Sequence, residues 1–179
     1  MDHSLIKKFV LLLVIAVTVC FSTDSGAYRL EWYLSRKLGI RFPIPPTWLK
    51  TANNKYSSVK LLLKDLSGAV ISFATDEKGP QFDYSKWQNA IEKNLGKKKF
   101  KKISSSDVSL PGDRKVKMTN WKNKSRLLTT VDFVHGKYAF IFVFTCDPNE
   151  KRGKTGREKD MCSKSEKDFI TLLSRISLF

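Results

Sequence analysis

Ile40, Phe42 and Ile44 alternate with other residues, so this stretch predicts a strand, which Pro45 and Pro46 halt because proline cannot donate to a sheet ladder. Residues 28–38 before it (YRLEWYLSRKL) are mixed and fit a short helix or an entry strand. Two apolar runs, residues 58–63 and 69–74, flank KDLSG at 64–68 and predict a hairpin. Gly79 and Pro80 then break the chain. A helix is expected next, with Ser85 and Gln88 as a capping box, Trp87, Ala90, Ile91, Asn94 and Leu95 on one stripe, and Gly96 closing the end. Residues 97–102 (KKKFKK) read as a basic connector and Ser104, Ser105 and Ser106 as polar punctuation.

Three further strands are expected. Along residues 115–121, Val116 and Met118 fall on one side and Lys115, Lys117, Thr119 and Trp121 on the other. Residues 123–125 turn the chain into 126–134 (RLLTTVDFV), and His135 with Gly136 forms a tight turn into 137–146 (KYAFIFVFTC). That last run is apolar on both faces, the mark of a central strand covered on both sides. After a charged loop, Ser163 and Glu166 suggest a second capping box, and Phe169, Leu172, Leu173 and Ile176 have the spacing of a buried helical stripe. The fold class expected is therefore α+β, with a central antiparallel sheet packed by helices.

The start of the chain changes where this domain is placed. Lys7 and Lys8 precede an uncharged run at 9–21, too short for the roughly 20 residues that span a bilayer but suited to the core of a signal peptide. Ser25 and Ala27 are the small residues a signal peptidase reads, so residues 1–27 are expected to be cleaved after Ala27, leaving one domain at 28–179. The competing reading anchors the chain through a lipid on Cys20, with Val19 a poor residue before it. Export would leave Cys146 and Cys162, which in an oxidising compartment suggest a disulfide across the charged loop; two free thiols are the alternative.

Specific motifs carry the next step. The segment FPIPPTW at 42–48 resembles the opening of PsbP-like domains, a family that includes DcrB-type exported envelope proteins. The strand AVISFA at 69–74, the helix at 82–95, the hairpin at 126–146 and the ending FITLLSRISL at 169–178 are similar to its later elements. The resemblance spans residues 28–179 and implies an α/β/α sandwich. It also implies a binding or assembly protein, since the family has no shared catalytic apparatus. No ligand residue of the family carries over.

Charge sharpens the partner. The 179 residues hold 33 Lys and Arg against 17 Asp and Glu, a formal charge of +16 that cleavage leaves unchanged, because Asp2 and Asp24 offset Lys7 and Lys8. The cations form three stretches: Lys97, Lys98, Lys99, Lys101 and Lys102; Arg114, Lys115, Lys117, Lys122, Lys124 and Arg126 around Trp121; and Lys151, Arg152, Lys154, Arg157 and Lys159. Such a surface suits an anionic lipid, a polysaccharide or an acidic protein, with Trp121 as an anchor; export argues against nucleic acid. The alternatives are a solvated face on which Trp121 packs against lysine stems, or charge that is merely compositional.

Catalytic signals are poor. The segment PNEKRGKT at 148–155 has the ending of a phosphate loop, but Pro148 stands where the first glycine belongs, which makes it an exposed basic loop. His135 at a turn reads as solvated rather than as a base, and Asp147, Glu150, Glu158 and Asp160 as surface partners of the loop cations. Asn123 opens a glycosylation sequon. No catalytic residue, cofactor or metal ligand is assigned. The function expected is an exported, non-enzymatic accessory protein of the periplasm or envelope, and the rival is an envelope hydrolase whose carboxylates the sequence does not identify.

Overall fold

The computed structural model describes residues 30–52, 57–148 and 158–179, with side chains in the last stretch from Cys162 onward. The leader at 1–27 with Cys20, the sequence around Gly153, and Lys151, Arg152, Lys154 and Arg157 lie outside the described residues. So does the Lys159 side chain, although its backbone is in a helix.

Seven strands form one antiparallel sheet in the order β3-β4-β5-β9-β8-β7-β6. They are β3 (Leu49–Lys50), β4 (Val59–Lys64), β5 (Val70–Glu77), β6 (Lys101–Leu110), β7 (Arg114–Lys122), β8 (Leu127–His135) and β9 (Tyr138–Cys146). A small second sheet joins β1 (Glu31–Ser35), β2 (Ile40–Ile44) and β10 (Ser177–Leu178). Residues 28–38 thus hold a strand rather than a helix. The sandwich has β1, β2, β10 and helix α2 (Glu158–Leu173) on one face and helix α1 (Tyr84–Lys97) on the other. The fold is α+β, with an antiparallel central sheet packed by helices, as the pattern of elements predicts.

The first face is the dry one. Phe42 and Ile40 of β2 are fully buried with Phe73, Phe140, Phe142, Phe169, Leu172 and Ile176. Phe42 meets Phe73 and Phe142 edge-on at 5.3 and 5.1 Å, and Phe144 stacks on Phe169 at 5.5 Å. Edge-on and offset pairs are the arrangements the ring quadrupole favours, so this face is a packed aromatic core rather than a loose apolar layer. The FPIPPTW motif earns its place here: Trp48, in the connection between β2 and β3, is buried and its indole N–H donates to Asp168 Oδ2 at 3.1 Å, tying that connection to α2. At the β1–β2 turn, Gly39 holds φ of +63° and a Cβ there would strike the Phe179 carbonyl oxygen, so only glycine lets the C-terminus close on the turn.

The strands expected at 115–121, 126–134 and 137–146 are β7, β8 and β9, and β9 is central. Several local expectations need correction. Asp83, not Ser85, caps α1, its side chain accepting from the Lys86 N–H at 3.1 Å. Gly96 lies inside the last turn, and the left-handed residue that ends the helix is Lys99, with φ of 63°. α2 begins at Glu158, so Ser163 is inside it and caps nothing. Residues 101–106 are neither connector nor punctuation but the first part of β6. That strand is an exposed edge rich in Lys and Ser, which discourages pairing with other chains and also removes the apolar alternation that would reveal it. Gly136 and Lys137, rather than His135, make the turn between β8 and β9; His135 ends β8, half-buried, with Arg114 Nη1 at 3.1 Å from its Nδ1.

Candidate functional site

The meander β6-β7-β8-β9 returns to pair beside β5, so the chain must travel from β5 to the far edge before it can begin. Four strand spacings of about 4.8 Å separate β5 from β6, roughly 19 Å, and a helix of 14 residues is about 21 Å long. α1 is the bridge, and it crosses the second face of the sheet.

Its attachment there is polar. No residue of α1 is fully buried. Tyr84 donates its hydroxyl to Asp132 Oδ2 at 2.6 Å, and Gln88 donates Nε2–H to the same oxygen at 2.7 Å. Trp87 donates its indole N–H to Asp76 Oδ2 at 2.9 Å, and Glu92 pairs with Lys102 at 2.9 Å. Asp132 is only 5% exposed, in the middle of β8, and hydrogen bonds of this kind offset the cost of burying its carboxylate. Burial, then the hydrogen bond to Asp132 and that residue's negative charge, push the Tyr84 hydroxyl well above the ordinary phenol range. It is a donor at physiological pH.

Because polar side chains hold the helix off the sheet, a groove of about 770 Å³ remains between them. Phe82, Tyr84 and Gln88 line it from the α1 side, Asp132 from β8, and Lys115 and Lys117 from β7. In register, Lys117 stands opposite Asp132 on β8 and Asp107 on β6. None of these three makes an ion pair among the described residues. Asp132 Oδ1 takes no hydrogen bond from the described residues either, so it is the acceptor available to a donor entering the groove.

Trp121 does not serve as an exposed anchor. It shares the face of Lys115 and Lys117 as the alternation predicts, but it is 5% exposed, donates its indole N–H to Thr130 Oγ1 at 3.1 Å, and carries Lys102 Nζ 6.0 Å from its ring centre. The packing of the indole beneath a lysine stem prevails, because α1 crosses this face of the sheet and Lys102 of the neighbouring β6 reaches the ring.

The central stretch of cations is divided by the strand that carries it. Arg114 and Lys122 sit at opposite ends of β7, about 27 Å apart at 3.3–3.4 Å per residue. Arg114, Lys115 and Lys117 belong to the groove. Lys122, with Lys124 and Arg126 of the β7–β8 turn, joins the first stretch, because Lys101 pairs opposite Lys122 and Lys102 opposite Trp121. Lys97, Lys98, Lys99, Lys101, Lys102, Lys122, Lys124 and Arg126 are all exposed at this end, a basic pole. Among the described residues, Lys102 alone of the eight has an ion-pair partner. At the same end Asn123 Oδ1 accepts the Ser125 and Arg126 N–H groups and shapes the turn. Cys146 and Cys162 are joined in a disulfide that links β9 to α2, as the two-thiol count suggests.

Tyr84, Gln88 and Asp132 escape the sequence reading. One signal for them is present: Asp132 interrupts an apolar strand between Val131 and Phe133, and a carboxylate in that setting is buried only with partners. Among the described residues, no helix is long and apolar enough to cross a membrane and no cluster of three His, Cys, Asp or Glu could hold a metal ion.

No family model and no curated protein sequence matches the chain. Its fold does match solved structures. Cyanobacterial PsbP (CyanoP) from Synechocystis sp. PCC 6803 aligns over 87% of this chain and 96% of its own, at 12% identity and a TM-score of 0.63. The Saccharomyces cerevisiae Ran-binding protein Mog1p aligns over 84% of this chain and 95% of its own, at 8% identity and a TM-score of 0.56. These likenesses establish the fold as PsbP-like.

Proposed function

We propose that the chain is an exported, non-enzymatic binding protein that docks to an anionic component of the cell envelope through the basic pole. The carrying observation is eight exposed cations gathered at one end of the sheet, with one ion pair among them in the described residues. Like charges such as Lys101 and Lys122, directly opposed across β6 and β7, repel each other and destabilise the sheet. A polyanion laid over them relieves that repulsion and releases counterions. Ran binding by a protein of the same fold supports a docking role for this scaffold, and the leader-like residues 1–27 support export. Lipid, polysaccharide and acidic protein all satisfy the charge; the neighbouring groove, with hydroxyl-matching groups beside cations, favours polysaccharide.

Retention on immobilised polygalacturonate tests this. Raising salt from about 0.1 M to about 1 M shortens the screening length from about 10 Å to about 3 Å and should release the protein. Changing Lys98, Lys99, Lys101 and Lys122 together to Glu should weaken retention at the lower salt about tenfold or more, and the protein recovered from the envelope should begin at Tyr28. Retention unchanged by the fourfold substitution overturns docking at the pole.

A further inference from the structure

Resting on the reading of an anionic partner, we infer that the groove beneath α1 is a saccharide site for one uronate unit, its carboxylate on Lys115 and Lys117 and its hydroxyls on Asp132 and Gln88. The volume of about 770 Å³ falls inside the range of roughly 300–1,000 Å³ usual for small-molecule sites. The groove's chemistry is mixed in a particular way. A 95%-buried carboxylate lies on its floor with Oδ1 unoccupied by the described residues, while Lys115 and Lys117 stand on the neighbouring strand without ion pairs among those residues.

That combination discriminates among ligands. A bare phosphate would find the cations, but its larger negative charge would be repelled by Asp132 and Asp107 on the flanking strands more strongly than the single charge of a uronate. A hydrocarbon would leave buried polar groups unpaired. A neutral sugar could donate to Asp132 but would leave the lysines without an anion. A uronate carries hydroxyl donors and a carboxylate on one ring. The groove also offers a surface for the ring's apolar face: Phe82 and Tyr84 line it, and Trp87 stands 6.3 and 6.0 Å from their ring centres. The pole, at the other end of β7, would hold the rest of the polymer by charge alone.

Trigalacturonate, titrated into the protein and followed by heat and by tryptophan fluorescence, tests the site. Saturable binding is expected. It should weaken about tenfold or more in Asp132→Asn, in Gln88→Ala and in Lys115→Gln combined with Lys117→Gln, and for uncharged trigalactose. Lys98→Gln combined with Lys101→Gln at the pole should change it less than about twofold. The Gln88 and lysine positions are not part of the core, so they keep the test decisive if Asp132→Asn unfolds the chain. Failure of trigalacturonate to bind overturns the inference. So does displacement by inorganic phosphate, or a loss confined to the lysine variants, either of which would mean a plain anion site. Salt-sensitive retention on the long polymer should persist in the groove variants, so failure of the groove and failure of the pole give different results.

Discussion

Asp132 occupies a strand position between Val131 and Phe133 where a carboxylate is costly, and it is tolerated because Tyr84 and Gln88 both donate to one of its oxygens. The same contact ties stability to alkaline pH. Below about pH 10 the Tyr84 hydroxyl keeps its proton whether the chain is folded or not, so it adds no pH dependence. Above that, the unfolded chain releases the proton first while burial and Asp132 hold it in the fold, so stability falls as pH rises. Tyr84→Phe should cost about 1.5–3 kcal/mol at neutral pH, the worth of a hydrogen bond to a charged group. It should also flatten the decline from about pH 10 upward, the interval in which an ordinary tyrosine has lost its proton while Tyr84 in the fold keeps it. Urea unfolding of both proteins across that interval measures this; parallel declines would show that Tyr84 is not responsible. At this scale the sequence is only half legible. An aspartate inside RLLTTVDFV signals a buried polar group, but its donors come from a helix 44 and 48 residues away in the chain.

The elements divide by what covers them. β2, β5, β9 and the Phe169 stripe of α2 were readable because each buries an alternating or helical row against the core, and β8 because it is buried on both faces. β6 was not: it is an exposed edge, polar along most of its length, and a bulge between Lys102 and Ser104 turns Ile103 outward at 58% exposure. The capping positions of α1 shifted by two residues because Gln88, free to reach back to the cap, reaches Asp132 instead. The β9–α2 pair carries its own prediction. The Cys146–Cys162 disulfide closes a separation of 16 residues, and replacing both cysteines with Ser should cost about 3 kcal/mol through the regained entropy of the unfolded loop. Denaturant unfolding with and without reductant checks it: reductant should lower the midpoint of the parent protein alone. An unchanged midpoint in the Ser variant would mean that the bridge contributes nothing to stability.

For the whole molecule, the decisive fact is where a chain charge of +16 ends up. One stretch of cations read along the sequence is spread over about 27 Å from Arg114 to Lys122 and divides into two sites, because a strand separates its ends by about 3.4 Å for every residue. Groups more than about 10 Å apart with no side-chain partner in common should contribute independently. Combining the pole and groove lysine changes should therefore lower polygalacturonate affinity by the product of their separate factors, within about twofold; a strongly non-additive result would show the two regions forming a single surface. The sequence by itself determined the fold class and the central strand, because burial leaves a periodic mark on neighbouring residues, and the two late cysteines suggested their bridge by count alone. The tertiary structure alone decided that Trp121 is covered, that the cations separate into a pole and a groove, and that Asp132, Tyr84 and Gln88 meet. Those outcomes depend on α1 crossing from β5 to the far edge of the sheet, and sequence periodicity does not record which distant elements a crossing brings into contact.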